Sequence, residues 1–247
     1  MGKGIIYYTD NRIKEPILSI NRGTIRESGL PITSCSLNKP IDFGDNIVVK
    51  GERSYPTMVK QILTALEHSK AKYVFFCEHD VLYHKSHFDF TPATDNVYYY
   101  NINNWRWDYP HNRAIQYDGL TSLSMMCCNR EMAVNHYRLR TRLIEDQGLN
   151  KIRSREPRWA RRFGYEPGTK PKRRGGVSDE KSETWRSEYP NIDIRHKLTH
   201  PKKKVNLDIS PQQYNDASTG FCWFSKKIEE LNKSSLFRFE PSRSQIP

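Results

Sequence analysis

The sequence contains no Cys-x-x-Cys pair and only five cysteines, Cys35, Cys77, Cys127, Cys128 and Cys222, among 247 residues. An odd number, two of them adjacent, argues against a disulfide framework and for reduced, buried thiols. No apolar run approaches the roughly 20 residues of a membrane-spanning helix, and the first residues do not read as a signal peptide. The expectation is therefore a soluble, cytoplasmic protein without a membrane span. There is no G-x-G-x-x-G and no P-loop pattern, which disfavours a dinucleotide-binding fold and an NTPase. No internal repeat and no domain boundary stands out. Acidic residues are short: 28 Asp and Glu stand against 40 Lys and Arg, a net charge of +12. Such a balance points to a polyanionic partner.

The excess of positive charge is local. Residues 151–174 carry a net +8 and residues 195–204 a net +5, so the rest of the chain sums to −1. Aromatic residues make up 12% of the chain, with 14 tyrosines the largest share, a composition closer to a polar enzyme than to a disordered chain.

The organising stretch is K-Y-V-F-F-C-E-H-D-V-L-Y-H, Lys72 to His84. Tyr73 to Cys77 is a continuous β-favouring apolar run, the pattern of a strand covered on both faces in a parallel sheet. It stops at Glu78, His79 and Asp80, which places three polar side chains at the carboxyl end of a central strand, where open α/β sheets bind ligands. Two carboxylates one residue apart suit a hard divalent cation, which needs only one or two carboxylates if water and phosphate complete its shell. The alternative is a solvated strand end.

Around this strand the chain alternates. Gly4 to Tyr8 reads as a strand ending in Thr9-Asp10-Asn11. Glu15 to Gly29 reads as a helix with Pro16 in its first turn. Ile32 to Ser36 and Asn46 to Val49 read as strands. Ser54 has the character of an N-cap, followed by Pro56 and the helical stripe Met58, Ile62, Leu63, Ala65 and Leu66. The expected fold class is α/β, Rossmann-like, with a mostly parallel central sheet flanked by helices. One domain is expected over residues 1–240, with a ligand-binding half at 1–90, a second half at 91–240 and a loose tail at 241–247.

The second half is less regular. After Asp80 a polar, aromatic stretch runs to Phe90. Strands are expected at Asn96 to Asn101, Leu123 to Cys128 and Ile192 to Arg195. Asn129 is placed to cap a helix from Arg130 towards Glu145, and a last helix includes Ile228 to Leu231. Residues 151–174, with Pro157, Pro167 and Pro171, read as a loop or short helices, and 196–204 as a basic loop. Trp105 and Trp107 either stack on a flat ring or pack in the core or at its rim.

The half-sheet with a carboxylate pair closing a middle strand resembles the nucleotide-sugar-binding half of a GT-A glycosyltransferase. The segments G-E-R-S-Y-P-T-M-V-K-Q-I-L-T-A-L-E and Y-V-F-F-C-E-H-D-V-L-Y-H-K-S-H-F are similar to small, soluble glycosyltransferase-like proteins whose D-x-D equivalent is E-H-D-V-L-Y. The later P-N-I-D-I-R-H fits the same pattern. The resemblance covers about residues 4–200. It implies a nucleotide-sugar donor such as a UDP-sugar and a divalent metal, Mn²⁺ or Mg²⁺. Asp80 is then a direct ligand and His196 a second, unless His196 is a surface histidine. Glu78, which replaces the usual Asp, binds metal directly, through water, or contacts ribose. Thr9, Asp10, Asn11, Glu78 and His79 would hold the donor. Arg53 would reach a phosphate or form a surface ion pair. His84 with His87, and His196 with His200, have zinc-compatible spacing but no cysteine partners, which disfavours a structural zinc site.

For an inverting reaction a carboxylate must take the proton of the acceptor hydroxyl. Asp118 in Y-D-G and Glu166 in G-Y-E-P-G are the candidates, and each can equally be a turn residue. The two basic segments suggest a DNA acceptor, contacted by Lys172, Arg173, Arg174, Lys202, Lys203 and Lys204 with Trp105 and Trp107. A hydroxymethylated pyrimidine is the base that offers a hydroxymethyl oxygen. The competing readings are transfer to a surface polysaccharide or lipid-linked acceptor, and an inactive nucleic-acid-binding GT-A module. A nuclease is disfavoured for want of a recognisable ligand set.

Overall fold

The computed structural model describes residues 2–108, 113–116, 120–146, 166–169, 181–195 and 214–216, with no side-chain detail at 108, 113–116, 195 and 214–216. The first half contains β1 (Lys3–Thr9), α1 (Ile17–Arg26), β2 (Ile32–Leu37), β3 (Asp45–Val49), α2 (Tyr55–His68), β4 (Tyr73–Glu78) and β5 (Val81–Leu82). There follow β6 (Val97–Asn101), β7 (Asn104–Asp108), β8 (Arg113–Gln116), β9 (Met126–Asn129), α3 (Arg130–Asp146), β10 (Lys181–Trp185), β11 (Asn191–Arg195) and β12 (Tyr214–Asp216). Seven strands form the central sheet in the order β10-β6-β9-β4-β1-β2-β3. Neighbours run parallel except at β9, which is antiparallel to both β4 and β6.

β4 is the middle strand of the seven, and Val74, Phe75, Phe76 and Cys77 are all fully buried. The alternation of the pleat divides them between two cores. Phe76 packs with Ile6, Tyr8 and the stripe of α2 (Val59, Ile62, Leu66) and with Tyr137 of α3. Phe75 and Cys77 pack with Ile5, Tyr7 and Ile25 of α1 on the other face. Helices therefore cover both faces, which is why the strand has no polar position. Ser54 caps α2, its hydroxyl accepting from Thr57 N at 3.2 Å. Such a cap stabilises a helix by about 1 kcal/mol. Asn129 does the same for α3, accepting from Met132 N at 3.2 Å. At Gly44, with φ of +67°, a Cβ would collide with the carbonyl oxygen of Ile32, so the turn into β3 admits only glycine.

The second half departs from the sequence expectation in three places. The run Leu123 to Cys128 is a 3-10 turn (Leu123–Met125) followed by β9, not one strand. Lys181–Trp185, with its polar sequence K-S-E-T-W, forms an edge strand beside β6 that apolar patterning does not reveal. A second sheet, β12-β8-β7-β11-β5, was also not anticipated. It collects short strands from distant parts of the chain; of these only β11 was expected, and the others are too brief to carry a periodic signal. Ile192 and Ile194 of β11 pack there with Leu82, Ile13, Ile17 and Trp107.

A buried polar layer ties the two sheets. Asn101 Nδ2 donates to Ser187 Oγ at 2.8 Å, Asn103 Nδ2 to Ser187 O at 2.9 Å, and Asn191 N to Asn103 O at 2.9 Å. The expected helix at Ile228 to Leu231, the tail 241–247 and nearly all of the two basic segments lie outside the described residues.

Candidate active site at the carboxyl edge of the central sheet

β2 and β3 lie on one side of β1, and β4 lies on the other. The direction of winding reverses between β1 and β4, and the crevice beyond the carboxyl ends of two such strands is where open α/β sheets place ligands. Here those ends are in register, with Tyr8 opposite Glu78. Thr9-Asp10-Asn11 and Glu78-His79-Asp80 therefore emerge side by side.

Contacts knit the two loops together. The Tyr8 hydroxyl donates to Glu78 Oε1. Thr9 Oγ1 and His79 Nδ1 share a hydrogen bond of 2.9 Å. Asp10 Oδ2 accepts from Arg12 Nε at 2.7 Å and from Arg53 Nε at 2.5 Å. The carboxylate is sheltered, at 13% side-chain exposure, while Arg53 is 57% exposed, so Asp10 anchors a guanidinium that faces solvent. Burial alone would raise the Asp10 carboxyl. The charge of His79 and the bonds from Arg12 and Arg53 outweigh it and hold the group below its ordinary value. Asn11 takes a left-handed conformation, φ of 61°, which asparagine tolerates. Its Nδ2 donates to Leu37 O at 2.8 Å and Lys39 O at 3.1 Å, so it braces the end of β1 against the end of β2.

Asp80 is half-buried in the turn between β4 and β5. Its carbonyl accepts from Ile194 N at 2.9 Å. Beneath it lies Tyr7, whose fully buried hydroxyl is pushed well above its ordinary range by burial, opposed by Arg22 and reinforced by the charge of Asp80.

Thr9, Asp10, Asn11, Arg53, Glu78, His79 and Asp80 are brought to one edge. β11 runs past Asp80, and His196 follows its last residue directly, outside the described residues. Asp118, Lys172, Arg173, Arg174, Lys202, Lys203 and Lys204 are outside them too. Glu166 opens a turn closed by Thr169 N donating to Glu166 O at 3.3 Å. The next residue, Pro167, accepts from the Tyr100 hydroxyl at 2.6 Å. Tyr100 is pushed up first by burial and then by the charge of Glu166. It lies one residue from the carboxyl end of β6, which runs in the same direction as β4, so Glu166 is near the same edge of the sheet.

One expectation is corrected. Trp107 is fully buried among Ile13, Ile17, Leu82, Ile192 and Ile194, so its ring is enclosed by core and is not offered to a base. Trp105 is partly buried against the same cluster and donates from Nε1 to Asn103 Oδ1 at 3.2 Å. Among the described residues no group of three or more His, Cys, Asp or Glu side chains gathers as a metal cage.

Sequence reasoning passed over four residues that shape this edge. Arg12 shares Asp10 with Arg53. Gln61, at 3% exposure, reaches from α2 to Thr9 O at 2.9 Å and Cys35 O at 3.1 Å. Asn21 and Tyr83 contact the E-H-D turn itself. A signal for Asn21 was present: it stands four residues from Ile17 and four from Ile25, on the buried stripe of α1. A polar residue in such a stripe needs a specific partner.

The fold and this edge define an α/β protein with a polar strand-end site at a topological switch point. No protein-family model matches the sequence, and no curated protein matches it. Solved structures do share parts of its fold. A fragment of TarS from S. aureus in complex with UDP aligns at a TM-score of 0.40 and 10% identity, over 80% of this chain and 61% of that one. A mutant beta-1,4-galactosyltransferase 7 of Drosophila, in complex with manganese, UDP-Gal and xylobiose, aligns at 0.37 and 9% identity, over 86% and 78%. The glycosyltransferase GlyE of Streptococcus pneumoniae aligns at 0.38 and 10% identity, over 64% of this chain. This chain spans about half the length of that last protein, 46%. With every one of these TM-scores below 0.5, the likenesses carry no argument about activity.

Proposed function

We propose that the chain is a nucleotide-sugar-dependent glycosyltransferase of the GT-A type, moving a sugar to the hydroxyl of a hydroxymethylated pyrimidine in DNA. The observation that carries the first part is the junction of Glu78-His79-Asp80 with Thr9-Asp10-Asn11 at the switch point between β1 and β4. The sequence resemblance of residues 51–88 supports the same reading.

The donor set fits a hard divalent ion. Asp80 is half-buried at the strand end, and a cation of this kind needs few protein carboxylates when diphosphate oxygens and water complete its shell. Asp80 would hold it directly, with His196 as a second ligand. Glu78, already accepting from Tyr8, would act through water or on the ribose. When bound, the ion would offset the charge that develops on the leaving nucleoside diphosphate. Arg53, anchored by Asp10, faces solvent at the same edge and would meet the diphosphate. Asp118 or Glu166 would accept the proton of the acceptor hydroxyl, a step that removes the need for a free alkoxide.

Support for the DNA acceptor is the charge of residues 151–174 and 195–204. If these segments track phosphates, log K should fall by about 0.9 per phosphate neutralised as log salt rises. Replacing Lys172, Arg173 and Arg174 together by Gln is expected to flatten that slope and raise the KM for DNA, with donor binding unchanged. Titration of both proteins against hydroxymethylated duplex DNA at several salt concentrations checks this. Salt-insensitive binding, or none at low salt, removes the DNA acceptor.

The activity itself is tested with a panel of nucleotide sugars, with and without Mn²⁺. The acceptors are plain DNA, hydroxymethylated DNA and no DNA, with mass spectrometry of the digested nucleosides. A sugar adduct only on the modified base is the expected result. Donor hydrolysis without transfer to either DNA would redirect the acceptor to a polysaccharide or lipid-linked hydroxyl. DNA binding without turnover of any donor would make the chain an inactive binding module.

A further inference from the structure

The turn that carries Glu78 and Asp80 is held from behind by two fully buried polar side chains. Asn21, in the middle of α1, donates from Nδ2 to Glu78 O at 3.0 Å and to Val81 O at 2.5 Å. One amide group thereby bridges the carbonyls on both sides of His79 and Asp80. Tyr83 acts at the start of the turn: its hydroxyl accepts from Glu78 N at 3.0 Å and donates to Ser124 O at 3.0 Å. Tyr83 N in turn donates to Thr24 Oγ1 at 3.2 Å, and Thr24 Oγ1 donates to Asn21 O at 2.8 Å. Asn21 and Tyr83 both have 0% exposure, so neither side chain reaches solvent or a ligand.

Burying an amide and a phenol among Ile5, Ile25, Phe75 and Cys77 is costly unless their hydrogen bonds are made. Leucine at position 21 would continue the apolar stripe between Ile17 and Ile25. Among the described residues the Asn21 carboxamide oxygen meets no hydrogen-bond donor, whereas its amide nitrogen meets two acceptors. Those donors serve one turn. With Ile194 N on Asp80 O at 2.9 Å, the backbone groups Glu78 N, Glu78 O, Asp80 O and Val81 O are all occupied.

We propose that Asn21 and Tyr83 are positioning residues that preset the Glu78–Asp80 turn for a divalent cation carrying a nucleoside diphosphate. This rests on the functional reading above. Side chains that orient metal ligands without touching the metal typically change its affinity by about 10–100-fold when removed. The physical reason is that a ligand held in place before binding need not be ordered on binding.

The test uses the full chain with Mn²⁺ and UDP as probes. Tyr83→Phe removes one hydroxyl and keeps the ring. Asn21→Leu keeps the branched shape, adds some bulk and removes both donated bonds. Ile25→Val, in the same helix but with no hydrogen bond to the turn, controls for general loss of stability. The expected result is a Kd for Mn²⁺ in the presence of UDP weakened by about tenfold or more in Tyr83→Phe and Asn21→Leu, and unchanged in Ile25→Val. Hydrogen exchange at the Glu78 amide should quicken in Tyr83→Phe and not in Ile25→Val. An unchanged Kd and unchanged exchange in a folded Tyr83→Phe protein overturn the proposal. An equal loss of Mn²⁺ affinity in Ile25→Val does so as well, since softness of the fold would then be the cause. If Asn21→Leu does not fold, Tyr83→Phe decides alone. Wild-type protein that binds neither Mn²⁺ nor UDP overturns the functional reading and this proposal with it, whereas wild-type binding that the variants leave intact overturns this proposal only.

Discussion

Asp80→Asn is expected to lower sugar transfer by about 10³-fold or more while the chain stays folded. The substitution keeps the shape of the side chain and removes its charge. If Asp80 is the direct ligand, several kcal/mol of transition-state charge stabilisation go with it, and each ~1.4 kcal/mol is a factor of ten in rate. The fold should be nearly indifferent. Asp80 is half-buried in a turn, and the hydrogen bond from Ile194 goes to its backbone carbonyl, which the substitution leaves in place. Turnover at saturating Mn²⁺, measured beside a urea unfolding curve, separates the two effects. Near-normal turnover would remove Asp80 from the site.

The second large effect concerns stability in acid and is located at His87. This residue is fully buried between the two sheets, its ring 5.5 Å from that of Trp185 and 5.2 Å from that of Phe75. Its Nδ1 lies 3.0 Å from both Asn101 Nδ2 and Asn191 Nδ2. The orientation of those amides is set by their oxygens. Asn101 Oδ1 accepts from Asn103 N and Ser187 N, and Asn191 Oδ1 accepts from His84 N. Both nitrogens therefore donate, Nδ1 accepts, and the neutral ring carries its proton on Nε2.

Burial lowers the His87 pKa to about 3. In the unfolded chain it titrates near 6.5, so between the two values the unfolded state binds a proton that the folded state refuses. The contribution to stability is complete above about pH 6.5 and declines as pH falls towards the folded value. The loss amounts to about 2 kcal/mol at pH 5. His87→Gln keeps an acceptor oxygen for the two asparagines and cannot titrate. Its stability should change less between pH 7 and pH 5 than that of the unaltered protein, by about that amount. Urea unfolding of both proteins at the two pH values measures the difference, and parallel losses would show that His87 is not the acid-sensitive group.

The helices and strands of the first 80 residues could be read before any coordinates. Three local signals carry that much: an apolar run with no polar position, a stripe of helical period, and a serine followed by proline at a helix start. Each belongs to a contiguous stretch, and the burial it encodes is satisfied by neighbours one or two elements away. The E-H-D turn was legible for the same reason, because an abrupt change from Cys77 to Glu78 marks the end of a buried strand. The Trp105 and Trp107 pair shows the limit. In sequence the pair reads either as stacking surface or as core and rim packing; in the fold Trp107 is enclosed by isoleucines from two other segments.

What the sequence by itself determined is the alternation of strand and helix, the central position of Tyr73–Glu78, and the chemical character of the loop that follows it. Those follow from periodicity and polarity, which are properties of a single segment. Only the tertiary structure decided the order of the seven strands, the second sheet, and the support behind the site. The order of strands puts Thr9 beside His79, across 70 positions of chain. The second sheet gathers strands as short as Val81–Leu82, which pair only because β11 passes there. Asn21 and Tyr83 looked like ordinary residues because a buried hydrogen bond is specified by both of its ends. Asn21 lies in α1 and Ser124, which Tyr83 bonds, in the approach to β9, and the fold alone brings each to its partner at 3.0 Å.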